Sequence, residues 1–219
     1  MKNFSVKVLC EIAIFAAIGF VLDILQGGIW KGAFANGGSI GFAMVPIFII
    51  SYRRGLVPGL ICGLLLSLVQ MLGGIYVING SSMEGWKQTF GPFLQIMLDY
   101  VLAYTVVGFA GAFSGAYKNA NSFKKQVLFL ILGCVLGGML KYFSHAFAGI
   151  FFWPGKMWGI TGAMYSWLYN GLYMIPNIIV CTGIMILIAK VYPIFLNPDE
   201  HDKDELNTFA DNASIEEEE

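Results

Sequence analysis

The chain has 219 residues, of which 57% are hydrophobic and 12% charged, with a mean hydropathy of +0.70. Soluble domains carry about twice that share of charge, so composition excludes an ordinary water-soluble enzyme and indicates a polytopic membrane protein. The formal charge of −1 hides a split: residues 1–196 hold 12 Lys/Arg against 4 acids, and residues 197–219 hold 1 Lys against 10 acids. Residues 1–196 are therefore expected to form the membrane domain, and 197–219 an acidic, disordered tail.

Apolar stretches predict an all-α bundle of six transmembrane helices at 8–26, 39–52, 55–77, 92–116, 125–152 and 162–191. The first opens like a signal peptide, with lysines before an apolar run. It lacks a small-x-small cleavage site before Asp23, so it reads as the first membrane helix. Ala13 and Ala17, with Ala16 and Gly19, form a small-residue face that suits close helix approach, either to a partner or within the bundle. Glu11 and Asp23, near opposite ends, read as interfacial.

The second helix is short and contains Pro46, and Arg53-Arg54-Gly55 turns the chain into the third. A long loop, 78–92, precedes the fourth helix and includes a short interfacial helix around Trp86. The fourth carries Asp99 and Tyr100. The fifth ends in LKYFSHAFAGIFFW, where Lys141, His145 and Gly149 recur every four residues and share one helical face. Ionisable groups at such depth are costly and mark a cavity or a partner. Cys10, Cys62, Cys134 and Cys181 lie in apolar segments without paired spacing and read as small packing residues.

An inside N-terminus puts Lys2, Lys7, Arg53, Arg54, Lys118, Lys124, Lys125 and Lys190 on the cytoplasmic side. Lys31, Lys87 and Lys156 then lie outside, as the positive-inside rule requires. Both termini are then cytoplasmic. At about 1.5 Å per residue, Asp99 lies about 10 Å below the outer helix ends, and His145 and Asn170 about 12 Å. Lys141 lies about 18 Å down. A carboxylate, an imidazole and an amide thus meet at one level in the outer half of the bilayer. Trp30, Tyr76, Tyr100, Trp153, Trp158, Tyr165 and Tyr169 crowd the same end. An outward cavity with aromatic walls and one carboxylate suits a flat cationic heteroaromatic ligand. Asp99 and Lys141 are alternatively a structural ion pair, and tryptophans at helix ends are also ordinary interface anchors.

The chain has no phosphate-binding G-x-x-x-x-G-K-[ST] loop, zinc-protease helix or nucleophile elbow. Its two histidines, one in the tail, exclude a multi-histidine metal site. Neither an enzyme, a cofactor, a metal nor a nucleic-acid partner is expected. Uphill transport would draw on an ion gradient or on partner subunits.

The run LKYFSHAFAGIFFW, followed by Trp158, Tyr165-Ser166 and Asn170, resembles the thiamine-specific S component of energy-coupling factor transporters. The likeness extends from EIAIFAAIGF through VPIFIISYRRG to the last helix. It implies a six-helix protein of the bacterial cell membrane that captures thiamine from outside. Transport then needs a transmembrane coupling subunit and two cytoplasmic ATPases. The resemblance places ligand contacts at Lys141, His145, Gly149, Trp153, Trp158, Tyr165, Asn170 and the Asp99–Tyr100 pair, where the family is expected to have Glu-Tyr. It also points to Tyr76, to Trp30 as an aromatic lid in preference to Phe34, and to Ala13 and Ala17 for docking. The alternatives are an S component for another vitamin or a thiamine precursor, and a self-sufficient secondary transporter.

Overall fold

The computed structural model describes residues 5–34 and 37–198. Among the described residues the chain is mainly helical, and its longer helical stretches are α1 (Val6–Ile29), α2 (Val45–Arg54), α3 (Leu56–Leu72), α4 (Trp86–Lys118), α5 (Phe123–Phe152) and α6 (Gly162–Val191). Four of them, α1, α4, α5 and α6, are long and apolar enough to cross a membrane, while α3 is a shorter apolar helix. The predicted acidic tail lies, beyond Pro198, outside the described residues.

Local chemistry sets the helix ends. The side chains of Ser5 and Ser122 cap α1 and α5 by accepting from Val8 N and Lys125 N, each at 3.4 Å. The second helix begins at Val45, six residues later than the hydropathy predicts, because Pro46 fits only in a first turn where its missing N–H costs nothing. Residues 37–44 instead run as an irregular segment. Gly55 (φ 96°) lets α2 break sharply into α3. Between α5 and α6 lies a two-stranded hairpin, β1 (Lys156–Met157) and β2 (Ile160–Thr161). Its central residues, Trp158 and Gly159, both have positive φ (50° and 81°), the hand favoured by two-residue hairpins.

The fourth helix is irregular in two places. Met97–Val101 forms a π-helical turn and Val106–Phe113 a 3-10 stretch. The 3-10 stretch packs against α3 and α5. At Gly137 of α5, an added Cβ would collide with the carbonyl oxygen of Val107, so glycine is what lets these two backbones touch.

Buried apolar side chains from all of these helices make the core, among them Ile12, Phe48, Leu66, Val107, Leu130 and Met185. Cys62, Cys134 and Cys181 are free thiols within it, and Cys10 is exposed. The small-residue face of α1 divides: Ala16 and Gly19 are buried against the bundle, while Ala13 and Ala17 are exposed. Glu11 is held by two guanidinium groups, Arg53 at 3.0 Å and Arg54 at 2.6 Å, and ties α1 to α2.

Candidate functional site

A cavity of about 530 Å³ opens between α1, α3, α4, α5 and α6. This volume lies in the range of small-molecule sites. Its walls carry three polar groupings.

The first surrounds Asp99. The indole Nε1 of Trp153 donates to Asp99 Oδ2 at 2.8 Å, and Gln95 Nε2 donates to the same oxygen at 3.1 Å. His145 Nδ1 lies 3.6 Å from the other carboxylate oxygen. The Tyr76 ring packs on Trp153 with centroids 5.3 Å apart, and Tyr76 N donates to the Tyr100 hydroxyl at 3.0 Å. The π-helical turn widens the local helix at Met97–Val101, and Asp99 and its neighbour Tyr100 both line the cavity there.

The second grouping lies one turn of α5 further from the hairpin. Asp23 accepts from the Tyr104 hydroxyl and from Gln70 Nε2, and from Gln26 Nε2 at 3.0 Å. The Lys141 ammonium sits 3.2 Å above the centroid of the Tyr104 ring. Lys141 is only 6% exposed. Among the described residues no direct ion pair joins it to Asp99, whose oxygens face Trp153, Gln95 and His145 instead.

The third grouping is the α6 wall. The Tyr173 hydroxyl donates to Asn170 Oδ1, while Asn170 Nδ2 donates to Ser166 O at 2.9 Å. Gly149 faces Ser166, and an added Cβ there would collide with Ser166 Oγ. Gly149 thus brings α5 against the polar face of α6. The segment after α1 closes over this wall. Tyr169 OH donates to Gly37 O at 2.7 Å, and Asn177 Nδ2 donates to Ser39 O at 2.6 Å.

Nine residues expected from the sequence therefore meet in one cavity: Tyr76, Asp99, Tyr100, Lys141, His145, Gly149, Trp153, Tyr165 and Asn170. Trp30 and Trp158 do not line it. Trp158 stands 77% exposed because the hairpin turn aims it outward. Phe34 packs between Trp30 (centroids 5.9 Å apart) and the cavity-lining Tyr173 (5.5 Å), and neither Phe34 nor Trp30 lines the cavity itself.

The interfacial reading of Asp23 is corrected. α3 and α4 bring Gln70 and Tyr104 onto the carboxylate, which lines the cavity. Gln26, Gln70, Tyr104, Tyr173 and Asn177 also line the cavity and were missed. The rule that singled out Lys141, a polar group deep in an apolar run, also applies to Gln70 in LLLSLVQML.

These features define a multi-pass membrane protein with a polar, aromatic-lined cavity of small-molecule size among its helices. The family model described as thiamine transporter protein (Thia_YuaJ) matches residues 9–197, and the chain belongs to that family of transporters. It is 32% identical over 197 residues to the thiamine transporter ThiT of Bacillus subtilis (strain 168), covering 88% of this chain and 95% of that protein. It is 28% identical over 193 residues to the thiamine transporter ThiT of Lacticaseibacillus paracasei, covering 83% and 88%. The solved structure of ThiT from Listeria monocytogenes superposes with a TM-score of 0.72 at 29% identity, over 87% of this chain and 97% of that one.

Proposed function

We propose that this protein is a thiamine-binding S component that captures its vitamin from the outer side of the membrane in the cavity described above. The observation that carries this reading is the Asp99 carboxylate, walled by the Trp153 and Tyr76 rings and His145. A thiazolium is a permanent, delocalised cation fused to no proton equilibrium. It is stabilised by a countercharge and by aromatic faces, and both are present on one wall. Asn170, Tyr165 and Lys141 supply the amide, hydroxyl and ammonium groups that hydrogen-bond the aminopyrimidine and hydroxyethyl arms.

The rest of the transport cycle belongs to partners. The chain spans the membrane six times with both termini cytoplasmic, and its cavity faces outward. A transmembrane coupling subunit and two cytoplasmic ATPases supply the energy. Ala13 and Ala17 form the docking stripe. In support, both are exposed, and α1 is the least buried of the four long apolar helices, with 17% of its most apolar window inside the bundle.

Titration of the purified protein with thiamine, riboflavin, biotin and the isolated pyrimidine moiety, followed by tryptophan fluorescence, tests the reading. Saturable quenching by thiamine alone, with weak competition by the pyrimidine, is expected. Equal responses to all four would overturn it.

A further inference from the structure

Lys141 sits where an ammonium is hard to keep. It is 6% exposed, and among the described residues neither carboxylate of the cavity forms a direct ion pair with it. What lies beneath it is the Tyr104 ring, whose hydroxyl donates to Asp23. Asp23 in turn is engaged by protein donors: Tyr104 and Gln26 on one oxygen and Gln70 on the other. A carboxylate engaged in this way has little capacity left for a ligand. Its negative charge remains, one ring away from the ammonium.

From this stacking we infer that Asp23 is a positioning residue for ligand recognition, acting through Tyr104 on Lys141. Two physical effects combine. A tyrosine whose O–H is donated to a carboxylate presents a more electron-rich face, which strengthens its attraction for a cation. The carboxylate also supplies the countercharge that a buried ammonium requires. Gln70 and Gln26 fix the carboxylate from α3 and from within α1, so the Tyr104 ring cannot swing away. Lys141 is thereby held with its N–H donors available to an acceptor atom of the bound molecule. Asp99 and Asp23 divide the work. One faces the ligand's positive charge, and the other holds the protein's own cation at the far end of the cavity.

This inference rests on thiamine being the ligand, and a double-mutant cycle separates the two claims. Thiamine affinity is measured by fluorescence titration for the unmodified protein, Asp23→Asn, Lys141→Met and the double variant, with melting temperatures recorded without ligand. Asp23→Asn is expected to weaken binding about tenfold, the size of a charge-assisted hydrogen bond. In the Lys141→Met background the same change is expected to cost less than about twofold, because the residue it acts through is gone. Full additivity of the two losses would overturn the inference while leaving thiamine binding intact. Absence of thiamine binding by the unmodified protein would instead overturn the reading beneath it. Should Asp23→Asn fail to fold, Tyr104→Phe replaces it in the cycle. That variant keeps the ring and removes only the hydroxyl link, and the same non-additivity with Lys141→Met is required.

Discussion

Trp153 Nε1 donates to Asp99 Oδ2 at 2.8 Å, so the residue that ends α5 and the π-helical turn of α4 share one hydrogen bond. This contact joins the aromatic wall to the carboxylate. It also aims the indole edge at the acid and leaves its face to the Tyr76 ring and the cavity.

The charge of Asp99 is separable from its shape. Asp99→Asn retains an oxygen acceptor for Trp153, removes the negative charge and turns the oxygen facing His145 into an amide donor. Thiamine affinity should fall by more than about tenfold, roughly 1.4 kcal/mol or more. Unchanged affinity in a fluorescence titration would show that the charge does not act on the ligand.

Trp153 should also be the principal optical reporter. Among five tryptophans, it alone lines the cavity. Trp153→Phe is expected to remove most of the thiamine-induced quenching while weakening, not abolishing, binding measured by calorimetry. Full quenching in the variant would place the reporter elsewhere.

Gly149 acts through packing. In Gly149→Ala the new methyl meets Ser166 Oγ, which itself donates to Ala146 O at 2.7 Å. Overpacking of this kind costs about 1–3 kcal/mol, so both melting temperature and affinity should drop. Adding Ser166→Ala should recover part of the stability, and no recovery would argue against the clash.

Glu11 is the bridge at the opposite end of α1, where its side chain, 15% exposed, binds Arg53 and Arg54 together. Arg53 also donates to the carbonyls of Ile194 and Phe195, at 3.3 and 3.0 Å. Glu11→Gln removes the negative charge that both guanidinium groups share and should destabilise the protein by about 1–3 kcal/mol. The effect is read as a lower melting temperature, with thiamine affinity little changed because the cluster lies away from the cavity.

Docking predicts a split between binding and uptake. Ala13→Leu and Ala17→Leu add bulk to an exposed stripe of α1. Thiamine binding to the isolated protein should persist, while uptake by cells supplying the coupling subunits should fall severalfold. Equal uptake would remove this stripe from the docking surface.

Hydropathy and helical periodicity alone determined that this chain is a helical membrane protein, and where α6 and most of α1 and α5 run. Those signals are local: twenty apolar residues in a row have few other ways to satisfy their backbone. The same local rule picked out Lys141, His145 and Asn170, because a polar group is conspicuous in an apolar run. Asp23 escaped it. Near a helix end a carboxylate has an ordinary home at the interface, and nothing local announces that α3 and α4 bring Gln70 and Tyr104 onto it. Tertiary structure decided that Asp23 joins Tyr104 and Gln70 from two other helices, that Lys141 stacks on Tyr104 and not against Asp99, and that Phe34 packs between Trp30 and the cavity-lining Tyr173. Each outcome depends on contacts between residues far apart in the chain, and their geometry is set only when the helices pack.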